Sequence, residues 1–420
     1  MKKYQVDGMC IYHYWFENGR RILEKPAENL LEWKDIQMPF CFYWANQTWA
    51  RTWKKLKEVN VWSTIYNKPD KRHENDILLK QSYGRERDWE EHFIYLLSFF
   101  KDERYIKLDN RPVFVIYRPD DIVSLWDMAD YFNRRAIQSG FQGIYFIGSG
   151  SGVIPGLNAT FERQPDGKTN SYTEMWKMTL ENKIVRGSKT YFCGGVDYDN
   201  SPRMGKAAFV LKDVSPSIFY ANLKKLYKKS MLLENEFLFI NAWNEWGEGT
   251  YLEPDEKYRF GYLEALKKVV DECQNEMLDD MIINYETEEE TKLKEQNRIR
   301  SRYVELLHNW LCLKEQKVDF AVYFKKYGYK NIAIYDMGKL GMHLLNELRE
   351  SNVTVCYGID ENSEKIQCEV DIYKPEQETL KQIDAVVITI TNQCCEIAEK
   401  LRQNINCPMI SIEEIIQELM

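Results

Sequence analysis

The run from Phe237 to Pro254, FLFINAWNEWGEGTYLEP, constrains this chain more than any other stretch. It opens on apolar residues of strand length, Phe237-Leu238-Phe239-Ile240. It then turns abruptly into Asn241, Trp243, Asn244, Glu245, Trp246 and Glu248, with Gly247 and Gly249 loosening the backbone. A buried strand that runs out into carboxylates, amides and indoles is how a barrel strand delivers chemistry to its C-terminal mouth. Two carboxylates three residues apart and flanked by indoles suit acid–base work on a sugar. An apolar wall can keep one protonated while the other stays charged. The plainer reading is a surface loop with two solvated glutamates, since lone carboxylates are mostly exposed. It accounts for Glu245 and Glu248 but not for the amides, indoles and glycines packed around them.

Residues three apart on a strand point to opposite faces, whereas on a helical turn they share one. The glycines and the change of composition after Trp243 end the strand, so a turn is expected to bring Glu245 and Glu248 together in one cleft. Carboxylates so close repel, and one of them is expected to hold its proton nearer to neutrality.

The preceding chain repeats the same punctuation. Strands are expected at Gly8–Trp15, Pro39–Trp44, Pro112–Tyr117, Gly143–Ile147, Ala159–Arg163, Thr190–Gly194 and Phe237–Trp243. Helical periodicity marks 23–32, 89–100, 120–138, 218–233 and 262–276, and Gly140 suits the C-terminal cap of the third of these. Alternating strands and helices imply a parallel sheet with right-handed crossovers. Several of the strands end in polar or aromatic residues, the asymmetry of a (β/α) barrel's catalytic face. The count is seven, one short of eight, and the short run before Gly8 is where an eighth is missing. The expected fold class is therefore α/β. A (β/α)8-type barrel lacking its first strand occupies residues 1–276, a charged helical linker 277–317, and a small doubly wound domain 318–420.

In the linker, Glu286, Glu288, Glu289 and Glu290 give way to Lys292, Lys294, Arg298, Arg300 and Arg302, an order that complements a helix dipole. Trp310, Leu311 and Leu313 are expected to dock it onto the last domain. That domain carries Asp336-Met337-Gly338-Lys339-Leu340-Gly341 after a strand at Ile332–Tyr335. This is the dinucleotide fingerprint with Asp336 in place of its first glycine. Gly338, Gly341 and Asp360 are the candidate cofactor contacts, Asp360 standing where a ribose-binding acid would stand. A carboxylate beside a pyrophosphate is unfavourable, so tight NAD binding is not expected. A structural or sugar-nucleotide-sensing module fits the residues equally.

Totals exclude some classes. A formal charge of −8 and pI near 5.5 carry no nucleic-acid footprint. No apolar run reaches membrane-spanning length. The start, MKKYQVDGMCIYHYW, lacks an apolar signal core, so a cytoplasmic location is expected. The ten cysteines are scattered without zinc-ligand spacing, so neither a metal nor a cofactor is expected. Eleven of the twelve tryptophans precede residue 250, which places the aromatic wealth in the first domain.

On YHYWF (Tyr12–Phe16), LEKP (Leu23–Pro26), FCFYWANQTWARTW (Phe40–Trp53), HFIYLLSFFKDERYIKLDNRPVFVIYRP (His92–Pro119), DNSPR (Asp199–Arg203) and NAWNEWGEGTYLEP (Asn241–Pro254), residues 6–270 resemble the WbsX-type family. That family is assigned as glycosyltransferases of surface-polysaccharide biosynthesis and is related to glycoside hydrolase family 99, the endo-α-mannosidase type. The resemblance implies a (β/α)8 barrel acting on a glycan or sugar-nucleotide, in the cytoplasm and peripheral to a polysaccharide-assembly complex. It implies Glu248 as acid/base and Glu245 as the group assisting the substrate's own 2-hydroxyl, through an epoxide-like intermediate. Two departures stand out. The family's opening Tyr-Leu-Pro-Gln-type strand is not matched, and its Ala-Asn-Glu motif reads Ala45-Asn46-Gln47 here. The last domain resembles Rossmann-like modules appended to polysaccharide-biosynthesis proteins.

The candidate substrate contacts are Tyr12, His13, Tyr14, Trp15, Trp44, Asn46, Gln47, Trp49, Arg51, Asn244 and Trp246. Trp44, Trp49, Trp243 and Trp246 can stack on sugar faces, though core packing serves Trp44 as well. His13 suits the mouth or a satisfied core position. Arg51 and Arg118 suit anion forks or ion pairs. Transfer and hydrolysis both need the carboxylate pair and differ only in the acceptor. A non-catalytic glycan-binding protein is the reading from another class, favoured by the missing strand and by Gln47.

Overall fold

The computed structural model describes residues 1–50, 77–150, 152–162, 169–274, 283–366, 368–375, 382–391 and 394–420. They form two compact units, residues 1–121 with 128–288, and residues 122–127 with 289–420.

The first unit is built on seven parallel strands. They are β1 (Met9–His13), β2 (Phe40–Trp44), β3 (Arg111–Ile116), β4 (Tyr145–Ser149), β5 (Ala159–Glu162), β6 (Thr190–Gly195) and β7 (Leu238–Asn241). They pair in chain order from β1 to β7. All seven expected strands are present, and among the described residues β1 and β7, the ends of the path, are not paired with each other. Each run is rich in the aromatic and β-branched residues that suit a pleated surface. Helices fill the crossovers: α1 (Lys25–Glu32), α2 (Glu86–Phe100), α3 (Leu125–Gln138), α4 (Tyr172–Glu181), α5 (Pro216–Leu232) and α6 (Gly261–Cys273). Local chemistry sets several of their ends. Ser171 Oγ accepts from Glu174 N at the start of α4, and Ser215 Oγ accepts from Ile218 N at the start of α5, with Pro216 in the first turn. Gly140, at φ 95°, follows α3 in the left-handed region a chiral residue avoids.

The sheet is curled, and ring contacts show it. Tyr43 on β2 and Phe161 on β5 lie three strands apart, about 14 Å in a flat sheet. Their ring centroids are 5.7 Å apart. Phe161 in turn meets Phe239 of β7 at 4.9 Å. Inside the curl lie Tyr12, Tyr43, Phe161, Tyr191 and Phe239. Outside it, α4, α5 and α6 close over β6 with Trp176, Phe219, Leu223 and Val269 fully buried.

The second unit holds a five-stranded parallel sheet. Its strands are β8 (Asn331–Tyr335), β9 (Thr354–Ile359), β10 (Ile372–Tyr373), β11 (Ala385–Ile388) and β12 (Met409–Ser411). Their spatial order is β10-β9-β8-β11-β12, reversing at β8 as a doubly wound sheet does. A 28-residue helix, α7 (Glu288–Glu315), contributes Leu306, Trp310 and Leu313 to this unit's core. Leu311 faces away and is 63% exposed. At 3.6 residues per turn, neighbours around Trp310 cannot all share its face.

The turn after β8 keeps the backbone of the glycine fingerprint with a carboxylate at its first position. Asp336 takes the left-handed φ of 68° that the first glycine would take. Gly341 lies so close to the Asp336 carbonyl that a Cβ there would meet it at 2.2 Å. Asp360 is buried, and its carboxylate accepts from Met337 N (3.0 Å) and Asn362 N (2.7 Å). Both its oxygens are engaged in holding the turn.

Candidate active site

After β7 the chain makes a tight hairpin. Asn244 and Glu245 pair antiparallel with Thr250 and Tyr251, and Trp246–Glu248 form one 3-10 turn. The Asn241–Ala242 peptide is cis. Thr250 is fully buried, and its Oγ1 donates to the Asn241 carbonyl at 2.7 Å, which ties the hairpin to the strand end. Glu245 leads into this turn and Glu248 is its last residue, and the two carboxylates come to one side, where a single side chain reaches both.

A guanidinium sits between the two carboxylates. Arg203 donates from one terminal nitrogen to Glu248 Oε1 and from the other to Glu245 Oε1, each at 2.8 Å. The expected repulsion of two close carboxylates is thus met by a cation shared between them. Arg203 comes from the loop after β6, at the end of a single helical turn, Ser201–Met204. That loop is held against the hairpin. Asp199 N donates to the Glu248 carbonyl at 2.7 Å, and Asp199 Oδ1 accepts from Ser201 N at 2.8 Å. Gly249 must be glycine: its φ is 65°, and a Cβ would lie 2.9 Å from the Asp199 backbone nitrogen.

Two tyrosines of β1 and its extension share this locale. Burial, then the charges of Tyr117, Tyr14, Glu248 and Glu245, raise the Tyr12 phenol above its ordinary range. Burial first and Glu245 next push Tyr14 up to about 12, with Arg203 opposing. Tyr12 stacks on Tyr43 (5.2 Å) and keeps 39% of its surface exposed. Tyr43 meets Tyr117 edge-on at 5.6 Å, and Trp49 meets Tyr14 edge-on at 5.4 Å. In the hairpin Trp246 is 47% exposed and stacks on Tyr251 with centroids 3.7 Å apart. Glu253 receives the Trp243 and Trp246 indole N–H groups at 3.1 and 2.7 Å and so fixes both rings. Asn244 is exposed beside them.

The other candidates are placed differently. The side-chain period of two splits the Tyr12–Trp15 run. Tyr12 and Tyr14 face the curl, while His13 and Trp15 point outward against α2. His13 Nε2 lies 2.8 Å from His92 Nε2, and Trp15 stacks on His92 at 4.4 Å. Trp44 pairs with His13 in register and is buried on the same outer face, its indole N–H donating to the Trp15 carbonyl. None of these three lines the cleft. Asn46 is fully buried and serves as a clamp. Its Nδ2 donates to the Arg118 carbonyl (2.8 Å) and Tyr83 Oη (3.1 Å), and its Oδ1 accepts from Arg118 N (2.8 Å). Gln47 is half-buried beyond this clamp, its backbone N–H on the Ala45 carbonyl. Arg118 is engaged with Asp121 at 2.8 Å. Arg51 lies outside the described residues.

Sequence reasoning did not single out Arg203, Tyr43 or Tyr117 for the site. The signal for Arg203 was the Asp199-Asn200-Ser201-Pro202-Arg203 run, which pairs a turn-forming Asp with a proline at a helix start. For Tyr43 and Tyr117 it was strand parity with Tyr12.

A curled parallel sheet with carboxylates, an arginine and exposed aromatics beyond the C-terminal ends of its strands has its polar groups where a (β/α) barrel carries its site. The chain belongs to the WbsX glycosyltransferase family, whose model matches residues 1–159 and 154–266. The uncharacterized protein WxcX of Xanthomonas campestris pv. campestris is 24% identical over 296 residues, which are 64% of this chain and 40% of that protein. The chain therefore spans well under two thirds of that relative's length. Among solved structures, the endo-α-mannosidase of glycoside hydrolase family 99 from Bacteroides thetaiotaomicron is similar with a TM-score of 0.41 and 16% identity, over 65% of this chain and 77% of that one. A glycoside hydrolase-like protein is similar with a TM-score of 0.39 and 11% identity, over 64% and 82%. Among the described residues no helix is long and apolar enough to cross a membrane.

Proposed function

We propose that the chain is a glycosyltransferase of bacterial surface-polysaccharide (O-antigen or capsule) assembly, working in the cytoplasm, with Glu245 and Glu248 as its chemical pair. The observation that carries this reading is the pair itself: two carboxylates in the hairpin after the last strand, bridged by Arg203, with their charges acting on the phenols of Tyr12 and Tyr14. Family membership supports the substrate class.

Glu248 protonates the leaving oxygen as the bond from the sugar's C1 breaks. Glu245 takes the proton of the 2-hydroxyl, and O2 closes on C1. The acceptor hydroxyl then gives its proton to Glu248 and attacks C1, the C1–O2 bond breaks, and O2 recovers its proton from Glu245. The exposed face of Trp246, held by Tyr251 and Glu253, offers a stacking platform for a sugar ring.

The test is product analysis by mass spectrometry, using UDP-, GDP- and dTDP-sugars with oligosaccharide acceptors, and aryl glycosides with poor and activated leaving groups. Glu248→Gln is expected to cost about 10²- to 10⁴-fold on the poor leaving group, and much less on the activated one. Glu245→Gln is expected to impair both alike, because the 2-hydroxyl must be activated whatever leaves. Small, equal effects from the two substitutions would refute the assignment. Release of free sugar in place of transfer would move the reading to an endo-glycosidase. Glycan binding that survives both substitutions, without turnover in the unmutated chain, would make this a binding protein.

A further inference from the structure

Arg203 is half exposed, carries a charge opposite to both of its partners, and is ion-paired with Glu245 and Glu248 at once. An arginine fork commonly grips one carboxylate with two parallel bonds. Here the same fork spans two carboxylates from two positions of one turn. Gly247 makes this possible. A Cβ at that position would lie 2.6 Å from one terminal nitrogen of Arg203 and 2.8 Å from its Nε, so the guanidinium is laid flat across the glycine. The backbone beneath Arg203 is anchored, by Asp199 N on the Glu248 carbonyl and by Asn200 Oδ1 accepting from Phe209 N at 2.8 Å. An anchored base with an exposed head lets the side chain move without moving the loop.

We propose that Arg203 is the positioning residue of the carboxylate pair: seated across Gly247, it holds Glu245 and Glu248 turned to one side before a substrate arrives, and its guanidinium must leave Glu248 Oε1 before that oxygen can serve a leaving group. This deepens the function proposed above and rests on its choice of chemical pair. An arginine within hydrogen-bond distance of a carboxylate favours its charged form. A general acid cannot work from that state. A sugar entering over Trp246 and Tyr12 would compete with the guanidinium for the oxygen of Glu248. Arg203 would then remain on Glu245, where a charged carboxylate is what the 2-hydroxyl needs. Equally shared at 2.8 Å in this structure, the cation would pass to Glu245 alone once a substrate takes Glu248, and the two glutamates would then differ in role.

The test uses the full-length, unliganded protein and needs no substrate. Glutamate labelled with 13C at the side-chain carboxyl is titrated by NMR, with the two signals assigned through Glu245→Gln and Glu248→Gln. Arg203→Gln is expected to leave the carboxylates facing each other, so that the pair titrates in two separated steps, the upper one above its position in the unmutated chain. Gly247→Ala retains the arginine but displaces its head, and is expected to move the titration the same way by a smaller amount. Arg203→Lys keeps a charge without the fork and is expected to restore part of the shift. A brace of purely structural value would lower the melting temperature of these variants while leaving both titrations in place, and that result would overturn the proposal. Separated titrations together with turnover indifferent to both glutamates would uphold the electrostatic arrangement while refuting the function assigned to the pair.

Discussion

Lowering the pH from 7 to 5 is expected to destabilise the first unit through His13 and His92. Their Nε2 atoms lie 2.8 Å apart, and both side chains are almost wholly buried. Around them stand Trp15, Phe42, Trp44, Tyr95, Phe114 and Phe132. The charge acting on His13 is that of Arg21, itself a cation. Burial, aided by Arg21, lowers His13 to about 3, and burial, aided by His13, lowers His92 well below its ordinary value. In the unfolded chain each titrates near 6.5, so below that pH the unfolded state binds more protons and stability falls as pH falls. At pH 5 each histidine costs about 1.5 × 1.36, or roughly 2 kcal/mol, and the two about 4 kcal/mol. That is a large part of an ordinary domain's stability. Asp197 acts in the opposite sense. Chiefly through burial it is raised to about 6, and its cost is relieved as pH falls below that value. Asp102 is held low, first by Arg104, and its contribution is lost only below about pH 4, the unfolded value. Comparison with a His13→Phe/His92→Leu variant cancels both, and an apolar pair leaves no orphaned donor. The assay is urea unfolding at pH 7, 6 and 5, followed by tryptophan fluorescence, since eleven of the twelve tryptophans precede residue 250. The unmutated chain should lose about 4 kcal/mol relative to the variant over this range. Parallel pH dependences, differing by less than about 1 kcal/mol, would refute the reasoning.

Asn46→Ala removes both side-chain bonds to the Arg118 backbone and leaves buried groups unpaired, so a loss of about 2–3 kcal/mol is expected in the same unfolding assay. Asn46→Asp would set a buried carboxylate oxygen against the Arg118 carbonyl and is expected to cost at least as much as the alanine. Asp360→Ala strips the acceptors from Met337 N and Asn362 N and is expected to lower the thermal stability of the second unit, read by calorimetry, without touching the first. Calorimetric titration of the full chain with NAD is expected to show no micromolar binding, because Asp336 and Asp360 occupy the turn.

The positions of the seven barrel strands were legible from residue order alone, as was the strand of the second unit that precedes its glycine turn, whereas the short strands β10 and β12 were not. Each strand is an apolar or aromatic run of the right length that ends in a change of composition, and that change is written locally. The hairpin after β7 was legible for the same reason, since Gly247 and Gly249 announce the end of extended backbone. Which face each residue takes was not legible. His13, Trp15 and Trp44 read as mouth residues because they sit beside Tyr12, Tyr14 and Asn46, yet neighbours on a strand point to opposite sides. Only the curl of the sheet and the seat of α2 decide which side is the cleft. Asp336 looked like damage to a glycine fingerprint, and its left-handed backbone shows it in the glycine's own conformation. Arg203 belongs wholly to the tertiary structure. It is 42 residues from Glu245 and 45 from Glu248 in the chain, and what joins them is the pairing of β6 with β7, which sets one loop's backbone against the other's glycines. Local propensity can say where a turn falls; only the packing of two strand ends decides which charge lies between two others.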